Sequence, residues 1–130
     1  MIDRSLDRRR RGRPVLGPTH TAPPIKTITK RQVVIFSKTF CPYCTKGKRA
    51  MAQFVGVPSE DVFLWELDQG TDAAEGAAIQ DALLDVTGGR SVPRVFVGGR
   101  FIGGGDDTAA KASSGELLRL LKAAGVATKA

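Results

Sequence analysis

Val33-Val34-Ile35-Phe36-Ser37-Lys38-Thr39-Phe40-Cys41-Pro42-Tyr43-Cys44 is the stretch on which the fold turns. Val33 to Phe36 is a β-branched and aromatic run, short enough to be a buried strand, and charged residues stand before it at Lys30 and Arg31. Pro42 suits the first position of a helix, because its ring fixes a helix-compatible φ and the N–H it lacks would have had no partner in the first turn. The order predicts a strand, a sharp corner and a helix from Pro42 to about Val55. Cys41 then stands at the helix N-terminus, where free N–H groups and the macrodipole stabilise an anion, and Cys44 lies one turn in. A thiol so placed, with a cation such as Lys38 nearby, ionises well below the usual ~8.5, and the thiolate is the attacking species in thiol–disulfide exchange. Cys44, at i+3, can close or resolve a disulfide.

Other uses of the two cysteines fit less well. Structural zinc takes about four ligands, and the chain has two cysteines and one remote histidine, His20. A bridge across three positions would staple almost nothing, and disulfide-built secreted domains carry many more cysteines. A reducing compartment is the better fit, and no metal is expected.

Composition bounds the rest. At 130 residues and 42% hydrophobic, the chain has the length for one domain with a modest core. The net charge of +7 is unevenly spread: residues 1–29 hold Arg4, Arg8, Arg9, Arg10, Arg11, Arg13 and Lys26 against Asp3 and Asp7, and the remainder is nearly balanced. Residues 1–24, rich in Arg, Pro, Gly and Thr, read as a basic, disordered extension, and residues 25–130 as the domain. The arginine cluster could serve nucleic-acid binding, nuclear import or an organelle address. Asp3 and Asp7 argue against a typical transit peptide, so a solvated tail is favoured. With no apolar run approaching ~20 residues and no h-region after the N-terminal charges, the sequence predicts a soluble, cytoplasmic monomer with no membrane and no nucleic-acid partner; targeting through the extension stays open.

Along the body, Ile25 to Arg31 can form a helical turn opened by Pro24. In the helix after the cysteines, Tyr43, Ala50, Met51, Phe54 and Val55 are available to an inner face, and Lys46, Lys48 and Arg49 to solvent. Gly47 costs that helix about 1 kcal/mol relative to alanine; tolerance of that cost is preferred to a close backbone approach. Val62 to Leu67 reads as a strand, with Trp65 in the core. Thr71 or Asp72 can cap a helix running to Thr87, its face set by Ala78, Ile79, Ala82, Leu83 and Val86, and Gly88-Gly89 can end it. Gln80 falls outside that face. Pro93 to Val97 and Arg100 to Ile102, joined by Gly98-Gly99, read as a hairpin. Asp106, Asp107 and Thr108 can cap a short helix, Ser114-Gly115 interrupts it, and Glu116 to Ala124 forms the last helix before Gly125. The resulting order, β-α-β-α-β-β-α, implies an α/β fold with a small mixed four-stranded sheet and helices on both faces.

With these segments in place the chain resembles a glutaredoxin of the dithiol, CPYC type. Besides the cysteine motif, Arg90 to Val97 is similar to that family's strand with a cis-proline, Gly103-Gly104-Gly105-Asp106-Asp107 to its glycine-glycine-aspartate turn, and Ile79 to Leu84 to its helix bearing a glutathione-binding glutamine. The resemblance covers roughly residues 30–126 and implies a thioredoxin-like sandwich. It implies glutathione as co-substrate, glutathionylated or disulfide-bonded proteins as partners, Cys41 as nucleophile and Cys44 as resolving thiol. It also implies that Lys38 and Gln80 meet the glycine carboxylate of glutathione and that Tyr43 lines the site. Val92, before Pro93, would pair its backbone with the cysteinyl part, and Gly104, Gly105, Asp106 and Asp107 would receive the γ-glutamyl end. For Asp106 the alternative is a simple N-cap. Gly105 departs from the family, in which a larger residue is common there. A second function stays open, a dimer bridged by a glutathione-ligated 2Fe–2S cluster, although members that do this readily have glycine or serine where Pro42 stands. Thioredoxin is disfavoured by Pro-Tyr between the cysteines.

Overall fold

The computed structural model describes residues 23–70 and 72–128. The arginine-rich stretch therefore lies outside the described residues, and only Pro23 and Pro24 of the expected extension are seen. They open a helix, α1 (Pro23–Lys30), two residues before the expected domain boundary. The chain continues through β1 (Val33–Ser37), α2 (Pro42–Arg49), β2 (Phe63–Glu66), α3 (Ala73–Thr87), β3 (Arg94–Val97), β4 (Arg100–Gly103), α4 (Gly105–Ser114) and α5 (Glu116–Ala123). The sheet order is β2-β1-β3-β4. β1 runs parallel to β2, with Ser37 opposite Glu66, and antiparallel to β3, while β3 and β4 form the expected hairpin. Gly98 and Gly99, at φ 59° and 81°, supply the two positive angles of a tight hairpin turn.

Alternation along β1 divides the interior in two. Val33 and Ile35 face a core of Ala50, Met51, Val55, Val95, Ala112, Leu117 and Leu121 under α2, α4 and α5. Val34 and Phe36 face the other, with Ile28, Leu67, Ile79, Leu83 and Phe96 under α1 and α3. Burial of these side chains contributes about 1.5–3 kcal/mol each before entropy is counted, and the central strand, buried throughout, takes part in both cores. Trp65 is half-buried in the second core, 5.6 Å from the ring of Phe36. Asp72 caps α3 by accepting from the Glu75 N–H at 2.7 Å, and Gly88 ends it in the left-handed region.

Several expected faces are corrected. Helix α2 does not run as one α-helix to Val55: a π turn follows over Ala50–Phe54, closed by the Val55 N–H on the Ala50 carbonyl at 3.2 Å. The i→i+5 closure puts one extra residue into the turn, which brings Val55 inward and leaves Phe54 62% exposed. Tyr43 is also exposed, at 58%, because the buried stripe of α2 passes through Cys44 and Gly47. In α3 the stripe is Gly76, Ile79, Ala82 and Leu83, and Ala78 and Val86 stand outside it.

Gly47 sits in the α2–α4 contact. A methyl group there would lie 3.5 Å from Gly105 Cα and 3.7 Å from Pro93 Cγ, ordinary van der Waals distances. Gly47→Ala is therefore expected to recover the helix-propensity cost and stabilise the protein by about 0.5–1 kcal/mol. Thermal unfolding checks it, through a midpoint raised by a few degrees; a lowered midpoint would refute the fit.

Candidate active site at the β1–α2 corner

Cys41 is the N-cap of α2, with extended backbone angles (φ −88°, ψ 121°), and its sulfur accepts from the Cys44 N–H at 3.3 Å. The turn before it is closed by the Cys41 N–H on the Lys38 carbonyl at 3.2 Å. Cys41 is partly exposed, whereas Cys44 is wholly buried. The Cys41 thiol points at the Val92 carbonyl oxygen, 3.7 Å away, and Cys44 Sγ accepts from the Lys38 N–H at 3.4 Å.

These surroundings split the two thiols. Partial burial opposes ionisation of Cys41, but hydrogen bonds from the Cys44 thiol and from the N–H groups of Cys44 and Tyr43, together with the Lys48 charge, outweigh it and lower the pKa. Burial pushes the Cys44 thiol up, reinforced by its bond to Cys41 and the Cys41 charge and opposed by the Lys38 N–H and the Ser37 hydroxyl. The result is one accessible sulfur disposed to be a thiolate and one enclosed sulfur disposed to keep its proton. The cation that lowers Cys41 is Lys48, not the expected Lys38, whose charge acts on Asp68. Lys48 is also not a solvent-face residue: it is half-buried, with its ammonium 2.9 Å from Glu66 Oε2.

Three segments converge beside Cys41. The Val92–Pro93 peptide is cis and sets the Val92 carbonyl against the sulfur. Gly104 caps α4 and lies under the Pro93 carbonyl: a Cβ on Gly104 would be 3.5 Å from that oxygen. Asp107 Oδ2 accepts from the Gly104 N–H at 3.1 Å and so closes the first turn of α4. The capping alternative for Asp106 is thus corrected, because α4 begins two residues earlier than that reading requires, with Gly104 as its N-cap. Asp106 reaches across to Lys46 on α2, 2.6 Å away. Gly105 lies against the backbone of Tyr43, in a space that leaves no room for a side chain.

On the opposite side a groove of about 360 Å³ is lined by Lys38, Phe40, Asp68, Ala77 and Gln80. Asp68 accepts from both the N–H and the hydroxyl of Thr39, which lowers its pKa. Gln80 donates to the Arg90 carbonyl at 2.8 Å and ties α3 to the segment leading to Val92. The residues that the resemblance assigns to glutathione lie beside Cys41, at the turn before α4 or along this groove. Sequence reasoning missed Ser37, Glu66 and the buried side of Lys48; the four-residue step from Cys44 to Lys48, one turn along a helix face, was the available signal.

A family model described as Glutaredoxin matches residues 33–102. Glutaredoxin-C4 of Arabidopsis thaliana is 44% identical over 100 residues, which is 77% of this chain and 69% of that protein. Among solved structures, oxidized glutaredoxin 2 from Chlamydomonas reinhardtii superposes with a TM-score of 0.69 at 51% identity, covering 78% of this chain and 89% of that one. A buckwheat glutaredoxin–glutathione complex superposes at 0.67 and 40% identity, covering 78% and 86%. The matched span contains both cysteines, Gln80 and the cis Val92–Pro93 peptide that leads into β3, and the sheet order and helix placement accord with it, so this chain belongs to the glutaredoxin family.

Proposed function

We propose that this glutaredoxin reduces glutathionylated proteins, and protein disulfides, at the expense of glutathione, with Cys41 as nucleophile and Cys44 as resolving thiol. The observation that carries the reading is the inequality of the two sulfurs, one accessible at a helix N-terminus and one buried beneath it. Thiolate Cys41 attacks the glutathionyl sulfur of a mixed disulfide; a Cys41–glutathione disulfide forms, and the protein partner leaves as thiolate and takes a proton. Free glutathione, as thiolate, then attacks the glutathionyl sulfur and releases oxidised glutathione and Cys41. Alternatively Cys44 loses its proton and attacks Cys41, expelling glutathione thiolate, and two further glutathiones reduce the intramolecular disulfide. Glutaredoxin potentials of roughly −200 to −230 mV suit reduction by a glutathione pool.

In this reading glutathione lies across Cys41. Its glycine carboxylate meets Lys38 and Gln80, its cysteinyl backbone pairs with Val92 beside Pro93, and its γ-glutamyl group meets the N–H groups at Gly104 and Gly105 and the carboxylates of Asp106 and Asp107. Tyr43 and Phe40, exposed at 58% and 74% on either side of Cys41, would contact the protein from which the glutathione is taken.

The test is reduction of the mixed disulfide of glutathione and 2-mercaptoethanol, coupled to glutathione reductase and NADPH. NADPH consumption that depends on the protein is expected, and none from folded, reduced protein would overturn the reading. Because only the thiolate reacts and the Cys41 pKa is lowered, the rate at which Cys41 itself reacts with an electrophile should stay high below the range where an ordinary thiol of pKa ~8.5 protonates. That rate should fall only as the pH drops through the lowered value. Alkylation of Cys41 by iodoacetamide at a series of pH values measures that limb.

A further inference from the structure

Beneath the first turns of α2 lies a polar cluster that the proposed reaction does not use. Ser37 and Glu66 are paired in register on β1 and β2, so their side chains leave the sheet on one face. It is the face that carries Ile35 into the core under α2. From above, Cys44 and Lys48 stand one turn apart on α2, the spacing at which two side chains share a helix face. The Ser37 hydroxyl donates to the Lys38 carbonyl at 3.4 Å and lies near enough to the Cys44 thiol to oppose the rise in its pKa, and Glu66 Oε2 holds the Lys48 ammonium at 2.9 Å. Glu66 Oε1 is buried without a hydrogen-bond partner among the described residues. The Lys48 side chain also borders an apolar cavity of about 150 Å³, with Met51, Val57 and Val62.

A half-buried ion pair is weak evidence for stability, and a buried carboxylate oxygen left unpaired adds a cost. Stability alone therefore does not account for the pair, which through Lys48 stands one turn along α2 from Cys44. The other charged groups around the thiols are matched outside it: Lys38 acts on Asp68, and Lys46 is paired with Asp106. We propose that Lys48 and Glu66 are positioning residues for the thiol chemistry: Lys48 carries positive charge on the face of α2 that holds Cys44 and favours the thiolate at Cys41, while Glu66 fixes that charge in place and tempers it. The inference deepens the proposed function and rests on its assignment of Cys41 as nucleophile.

The two residues then act with opposite signs. In Glu66→Gln the carboxamide oxygen still accepts from the ammonium, so Lys48 stays in place with its charge unopposed. In Lys48→Gln the positive charge is gone and the negative one remains. The experiment is the pH dependence of Cys41 alkylation by iodoacetamide in the full chain, read at Cys41 by mass spectrometry. Glu66→Gln should move the midpoint to lower pH and Lys48→Gln to higher pH, changing the rate on the acid limb by about threefold up and down. Lys48→Arg, which keeps the charge, should leave the midpoint in place. Midpoints that move together, or do not move, would overturn the proposal, since loosened packing has no reason to reverse sign between the partners. If Lys48→Gln does not fold, the direction of the Glu66→Gln shift decides alone. Alkylation needs no glutathione, so a wild-type protein inert toward glutathionyl disulfides would sink the proposed function without deciding this test.

Discussion

Replacing Cys41 by serine is expected to abolish reduction of glutathionyl disulfides, lowering kcat/KM by at least about a thousandfold, as loss of a nucleophile does elsewhere. Serine keeps the size and the N-cap role, so the fold should survive and the loss can be read as chemistry. What it lacks is an ionised sulfur: a hydroxyl does not ionise near neutral pH and does not exchange with a disulfide. Cys44 cannot take over, because it is wholly buried and its pKa is raised. Cys44→Ser should behave quite differently. The Cys44 N–H that bonds to Cys41 Sγ remains, a hydroxyl can still donate to that sulfur, and glutathione itself completes the one-cysteine route. A fall of no more than severalfold is expected in the coupled assay. Retained turnover in Cys41→Ser, or equal losses in the two variants, would place the nucleophile elsewhere.

Gly105→Ala is expected to destabilise the protein by about 3 kcal/mol, near the upper end of what overpacking costs. A Cβ at this position would overlap the Tyr43 carbonyl oxygen and come within 2.9 Å of its carbon and 3.2 Å of its Cα. These are backbone atoms of the first turn of α2, which cannot rotate aside as a side chain would. Relief requires α2 and α4 to separate at the point where Cys41 is held against Val92, so activity should fall along with stability. Urea and thermal denaturation give the first quantity, the latter as a midpoint lowered by roughly 10–20 °C, and the coupled assay gives the second. Gly47 lies across the same contact, yet alanine there is expected to stabilise, so two identical substitutions a few ångströms apart should have opposite effects. An unchanged midpoint for Gly105→Ala would mean that the two helices can separate freely, contrary to the packing seen.

Features with strong local physics were readable from the chain. The β1–α2 corner follows from a β-branched run meeting Cys41-Pro42, the hairpin from Gly98-Gly99, and the α3 cap from Asp72; in each, a few neighbouring residues decide the backbone. The mixed four-stranded sheet followed from them, because a helical crossover joins the first two strands and a hairpin the last two. Side-chain faces were less readable. Tyr43 and Phe54 look like core residues, but which side of α2 is buried depends on where β1 and α4 lie, and the π turn that moves Phe54 outward has no mark in Ala50–Phe54 itself. Sequence puts Lys48 in solvent because its type usually is, whereas its partner Glu66 comes from a strand 18 residues further on. For Asp106, a capping residue type was present, but the helix is capped at Gly104, and the Asp106 carboxylate reaches Lys46 on α2 instead. Long-range pairings of this kind are tertiary facts, and propensity says little about them.

The π turn also lets the two ends of one helical segment be aimed independently. In a regular helix the azimuth of Val55 would be fixed by that of Cys44, and any change that improved docking of the far end would swivel the near end and carry the Cys41 sulfur away from Val92. One supernumerary residue in the turn breaks that gearing: the far end is rotated to seat Val55 in the core, and the near end keeps the bearing that exchange chemistry demands. Deleting a single residue between Ala50 and Phe54 would re-engage the gears, so that reactivity and packing would have to compete for one common angle.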